Sequence, residues 1–232
     1  AATETIGLFP SISILSQHPA VVARMVATID DISDGRCGLN IVTGWNRPEY
    51  AQMGMWPGDE HYQRRYDYAG EYVQILQALW RDGRATWEGE YFQLDDCSVL
   101  PQPKRDIPLV CAGQSRAGRQ FVAQYADHQF VLTSEDNLVT SVKDIRAKAQ
   151  STGRDVGIYA LFHLIVADTG EQARAEVDAI IEGADQGAIS NILASADLDT
   201  NTGGTSDQLK AALNQSVEAG NMAFMGIPVI YG

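Results

Sequence analysis

Asn40 lies inside an otherwise apolar run, Gly38-Leu-Asn-Ile-Val-Thr43, and Trp45 and Glu49 follow on the loop after it. A short strand ending in a polar loop is how a barrel enzyme displays chemistry, with functional groups at the C-terminal end of a core strand. A buried amide without partners costs a few kcal/mol (on the order of 1–3), so Asn40 either bonds neighbouring backbone or points into a ligand pocket. Trp45 directly follows Thr43-Gly44 and offers a flat apolar wall with one N–H donor. Glu49, after Pro48, is either a solvated loop carboxylate or a pocket acceptor.

A second set of groups suits an anion. Arg64 and Arg65 adjoin Asp59-Glu60 where a helix begins. They either pair on the surface, which contributes little, or one guanidinium grips a phosphate with its planar fork. Ser115 follows the strand-like Val110-Cys-Ala-Gly113 and precedes a helix. It is either an ordinary N-cap or, with the backbone N–H groups beside it, a phosphate cradle. His18, His61, His128 and His163 are scattered without the spacing of a metal site, and no Gly-x-Ser-x-Gly elbow occurs. Polar groups and an anion site without hydrolytic machinery suit an enzyme whose cofactor carries the chemistry.

The elements that must position these groups alternate between strand and helix. Strands are expected at Thr5–Ser13, Gly38–Thr43, Ile107–Ala112, Gln129–Thr133, Ile158–Ala167 and Met222–Gly226. Helices are expected at Pro19–Ser33, His61–Arg81, Ala117–Tyr125, Leu138–Ala149, Glu171–Gly183 and Gln208–Ala219. The first has an apolar stripe of Val22, Met25, Val26, Ile29 and Ile32, with Gly35 as its stop. Thr86, Trp87, Tyr91, Phe92 and Val99 around Gly89 predict a β-hairpin insertion over about 85–100, and the small polar residues of 195–207 predict a flexible loop. Alternation of this kind argues for parallel βαβ units. No Gly-x-Gly-x-x-Gly follows an early strand, and functional-looking loops after several strands favour a (β/α)8 barrel over an open doubly wound sheet.

The 232 residues carry a formal net charge of -13, from 17 Lys+Arg against 30 Asp+Glu. That balance repels phosphate backbones and anionic lipids, so neither nucleic acid nor membrane is an expected partner. No apolar run approaches the ~20 residues of a membrane span. Cys37, Cys97 and Cys111 are unpaired in number and lack metal spacing, as in a reducing cytoplasm. The chain opens without Met and closes just after a strand-like segment, and too few βα units are present for a complete barrel, which takes about 250 residues. It reads as one partial barrel domain over 1–232, cut at both ends.

The helix from His18 to Ser33 with Gly35-Arg36 resembles the bacterial luciferase-like flavin monooxygenases. Asn40-Ile-Val-Thr-Gly-Trp45, Pro48-Glu-Tyr50, Met53-Gly-Met-Trp-Pro-Gly-Asp59, Arg64-Arg-Tyr-Asp-Tyr68, Cys111-Ala-Gly-Gln-Ser115 and Thr152-Gly-Arg-Asp-Val-Gly157 resemble the two-component pyrimidine monooxygenases among them. The resemblance implies a (β/α)8 TIM barrel that uses FMN, reduced by a separate flavin reductase, and O2. It implies FMN contacts from Asn40, Glu49, Arg65, Tyr66 and Ser115, with Arg65 and Ser115 at the phosphate. Ser11, Asn40, Trp45 and Glu49 would frame the pocket where oxygen and the pyrimidine meet. At Ser11 the family pattern has Thr. The implied reaction adds oxygen to a ring carbonyl carbon of uracil or thymine and breaks the adjacent C–N bond, giving a ureidoacrylate-type product in pyrimidine catabolism. Alkanesulfonate or sulfone monooxygenases of the same family, and a non-catalytic flavin-binding remnant, are the competing readings. A homo-oligomer is compatible with the sequence, and 195–207 is a candidate lid.

Overall fold

Parallel pairing organises the chain from its first strand. A computed structural model describes residues 2–131, 135–161 and 164–197. In chain order the elements are β1 (Ser11–Ser13), α1 (Pro19–Ser33), β2 (Leu39–Val42), α2 (Arg47–Ala51), α3 (His61–Asp82), β3 (Arg84–Glu88), β4 (Gln93–Ser98), β5 (Leu109–Cys111), α4 (Arg116–Tyr125), β6 (His128–Val131), α5 (Glu135–Ser151), β7 (Gly157–Ala160), α6 (Gly170–Glu182) and α7 (Gln186–Asp197). Among the described residues, five strands form one sheet in the order β1-β2-β5-β6-β7, and β3 and β4 form the expected antiparallel hairpin apart from it. The sheet is a parallel α/β array.

The register places Ser11, Asn40, Val110 and His128 in one row across four strands. Leu39, Ile41, Leu109 and Cys111 are buried in the core with Val22 and Val26 of α1 and Val73, Leu76 and Leu79 of α3. Alternation along a strand therefore turns Asn40 and Val110 to the face away from these helices. That face is concave: Phe9, just before β1, and Tyr159, on the opposite edge strand β7, have ring centroids 6.1 Å apart.

Local chemistry sets the helix ends. His18 Nδ1 accepts the Ala20 amide at 3.2 Å and Pro19 opens α1, while Asp34 ends it in the left-handed region. The α1 stripe differs from the expected one, because Met25 and Ile32 are exposed and Ala23, Ala27 and Asp30 are buried instead. Small residues let α1 approach α3 closely, which a pattern of large apolar side chains does not register. The hairpin is fastened to α3 by one carboxylate: Glu71 accepts the amides of Glu90, Tyr91 and Phe92 and the indole N–H of Trp87.

Other expectations are corrected. The strand drawn over Thr5–Ser13 is regular only at β1, with one isolated bridge from Leu8 to Cys37. Upstream, Arg36 donates to the carbonyls of Thr3 and Ile6, so these take a side chain rather than a neighbouring strand. Among the described residues, the strand drawn over Ile158–Ala167 is regular only in β7, and α2 and α7 were not foreseen. The start of the loop drawn over 195–207 is the end of α7; its remainder, the helix near Gln208 and the strand near Met222 lie outside the described residues.

The described residues cluster into two compact units. The first comprises Ala1–Gly44, Glu49–Val131 and Val139–Tyr159 and contains nearly all of the sheet, α1, α3, the hairpin and α4. The second holds Trp45–Pro48 and described residues among 132–138 and 160–232. In it, α6 begins with a reciprocal capping box between Thr169 and Gln172. No helix among the described residues is long and apolar enough to cross a membrane.

Candidate active site

Two groups of side chains lie on β1 and β2 and on the segments that follow β2 and β5, which are neighbours in the sheet. The first group starts from the β1–β2 pairing. Ser11 and Asn40 are register partners, and the Asn40 amide donates to Ser11 Oγ at 2.8 Å. This leaves Asn40 Oδ1 buried with no partner among the described residues. An orphaned acceptor in a half-buried amide is costly unless a ligand donor meets it.

Beyond Asn40 the chain turns at Gly44, whose φ of 72° is the left-handed conformation glycine adopts freely. A Cβ there would also press on Leu15 at 2.8 Å. Tyr50 closes the turn, accepting from Ser13 Oγ at 2.8 Å, and burial pushes its hydroxyl pKa up. Glu49 is exposed in the first turn of α2. Trp45 is half-buried and clusters with the second unit.

The second group is built on α3 and α4. Arg64 is taken by the hairpin: its guanidinium donates to both carboxylate oxygens of Glu90 at 2.8 Å and lies over the Tyr91 ring. Arg65 turns the other way. It donates to the Tyr62 carbonyl, and its guanidinium carbon sits 3.8 Å and 4.7 Å from the ring centroids of Tyr62 and Tyr66. Of the two arginines, Arg65, the one the resemblance named, shares Tyr66 as a partner with Ser115.

Tyr66 links the parts. Burial raises its hydroxyl pKa most, against hydrogen bonds to Ser115 and Arg65 that lower it, so at neutral pH it remains a donor. Ser115 caps α4, accepting from the Gly118 amide at 3.1 Å, and the first-turn amides of Arg116 and Ala117 are of the kind an α-helix leaves without internal partners. Gly118 is glycine for space: a Cβ would come 2.5 Å from Tyr66 Oη and 2.7 Å from Gly113 Cα. A cation, a phenol and a helix N-terminus thus converge where an anion is stabilised by both charge and oriented N–H groups. Cys111, just below, is inert, because burial raises its thiol to about 11.

The structure therefore joins Ser11 with Asn40, and Arg65 and Tyr66 with Ser115. Sequence reasoning left out Ser13, Tyr50, Gly118 and His61. His61 stands four residues before Arg65, and that helical spacing was the signal available for it.

Residues 1–224 match the profile of the luciferase-like monooxygenases. The chain belongs to that family. A pyrimidine monooxygenase, RutA, of Rhizobium rhizogenes is 45% identical over 226 residues, 96% of this chain and 62% of the relative. The chain thus spans about three fifths of the length of that relative. Among solved luciferase-like structures, a riboflavin lyase, RcaE, with modified FMN and riboflavin aligns with TM-score 0.76 and 27% identity, over 86% of this chain and 49% of the other. DmoA from Hyphomicrobium sulfonivorans aligns with TM-score 0.82 over 99% of this chain and 59% of the other; at 23% identity it speaks to the fold alone.

Proposed function

We propose that this chain is the core of an FMN-dependent pyrimidine monooxygenase that opens the ring of uracil or thymine. The observation that carries this reading is the 45% identity to a pyrimidine monooxygenase along 96% of the chain. The site geometry supports it, because the residues present fit FMN. Arg65, Tyr66 and Ser115 surround a helix N-terminus kept open by Gly118, and the acceptor Asn40 Oδ1 lacks a partner.

Reduced FMN, delivered by a separate flavin reductase, supplies the oxygen-activating chemistry with O2 as co-substrate. Arg65 offers its guanidinium to the phosphate, Ser115 and the α4 amides offer N–H and O–H donors, and Tyr66 donates from its protonated hydroxyl. At the other end Asn40, held by Ser11, presents its oxygen to a ring N–H of flavin or pyrimidine, and Glu49 orients the substrate's N–H groups. The three cysteines are free thiols, in keeping with a cytoplasmic protein.

The test combines the complete gene product carrying this chain with FMN, NADH, a flavin reductase, O2 and uracil or thymine, followed by mass spectrometry. A ring-opened product carrying one added oxygen atom is expected. Its absence with both substrates would overturn the reading.

A further inference from the structure

His61 is the first residue of α3, is 7% exposed, and is surrounded by aromatic rings. Trp56 meets it edge-on at 5.2 Å and Tyr68 at 5.7 Å. Trp56 in turn stacks on Tyr50 at 6.4 Å, and Tyr50 is tied to Ser13. Tyr68 continues to Phe92 of the hairpin at 4.9 Å. An aromatic column thus runs from the β1–β2 end of the site to the hairpin, with His61 in the middle.

Within that column Tyr50 bonds the end of β1 through Ser13, and His61 bonds the end of β2. The His61 ring hydrogen-bonds the backbone of Thr43, the residue after β2 and three beyond Asn40. Nε2 has no partner among the described residues, so the bond belongs to Nδ1–H, a donor to the Thr43 carbonyl. Burial lowers the ring's pKa and outweighs the Thr43 bond, which raises it. On the other side, His61 and Arg65 are separated by one helical turn and share a face of α3.

We infer that His61 is a positioning residue that sets the Asn40 strand end in register with the Arg65–Tyr66 helix, so that a cofactor gripped by its phosphate presents its ring correctly at Asn40. The inference rests on the flavin reading of the site. His61 touches neither cofactor nor substrate; it acts through Thr43 and Arg65. Its loss leaves phosphate binding in place and frees the ring end.

The test uses the complete gene product carrying this chain and two readouts: the dissociation constant for FMN and the visible circular dichroism of the bound flavin. His61→Phe keeps the ring contacts without the donor; His61→Asn keeps a donor near the place of Nδ1. In His61→Phe the FMN dissociation constant should change by less than about threefold, which is under ~0.7 kcal/mol. The flavin dichroism should fall to half or less, and product per reduced FMN should drop about tenfold, the difference appearing as hydrogen peroxide. His61→Asn should restore most of both. If His61→Phe fails to fold, His61→Gln, whose amide extends past the Nδ1 position, takes its place against His61→Asn. Unchanged dichroism in the donor-less variant, or equal damage in both variants, would overturn the inference. Flavin binding without any product from uracil would instead remove the pyrimidine reading and leave the dichroism comparison to decide the role of His61.

Discussion

The two ends of the site are built differently. At the phosphate end the polar groups find partners inside the protein: Ser115 with Gly118, Tyr66 with Ser115, Arg65 with the Tyr62 carbonyl. Its backbone approaches so closely that Gly118 admits no side chain. At the reacting end Asn40 has one partner and one orphaned acceptor, and Glu49 is exposed. In the proposed reading the finished end grips the phosphate. An end with unfilled acceptors depends on the ligand to complete it, which is where specificity and chemistry reside.

Breaking the reacting end should give the largest effect. Asn40→Ala removes the group proposed to face the reacting ring and should lower product formation about 10²- to 10³-fold, the range seen when a preorganised polar group is lost from a reaction centre. Steady-state turnover with uracil measures it. At the phosphate end, Gly118→Val forces a branched side chain into Tyr66 and Gly113. It should destabilise the fold by about 1–3 kcal/mol, as overpacking does, and weaken FMN binding with it; thermal melting and FMN titration read the two effects.

Desolvation lowers the pKa of both His18, which is largely exposed, and His61, which is buried. Their folded pKa values lie below the unfolded 6.5, so the unfolded chain binds more protons in acid. The stability they contribute is complete above pH 6.5 and is lost as pH falls below it. Melting temperatures should be flat from pH 8 to 7 and fall progressively below about pH 6.5, less so in a His18→Asn variant that keeps a neutral cap. The smallest effect is expected from Arg64→Ala. That exposed ion pair with Glu90 contributes little, and neither melting temperature nor FMN affinity should change measurably, in contrast to Arg65→Ala.

The difference between the ends also explains what the sequence disclosed. The bounds of α1 were readable because His18-Pro19 and Asp34-Gly35 carry the start and stop signals, and the hairpin because Gly89 interrupts aromatic β-formers. The outward turn of Met25 and Ile32 was not, since Ala23, Ala27 and Asp30 face the core through close helix packing. Ser115 showed its helix-start position in sequence; the residue pattern alone left Arg64 and Arg65 open, the family resemblance named Arg65, and the reason Arg64 is engaged elsewhere is Glu90, 26 residues away. The Asn40–Ser11 bond likewise depends on strand register, which local pattern does not contain.

The central claim is that the two ends have separate jobs, and one paired measurement addresses it: FMN affinity and product yield from uracil in Asn40→Ala and Arg65→Ala. Asn40→Ala is expected to bind FMN within about threefold of the parent while yielding almost no product. Arg65→Ala is expected to bind FMN at least about tenfold more weakly, with product recovered at saturating FMN. Full product from Asn40→Ala, or loss of FMN binding and product together in both variants, would contradict the account.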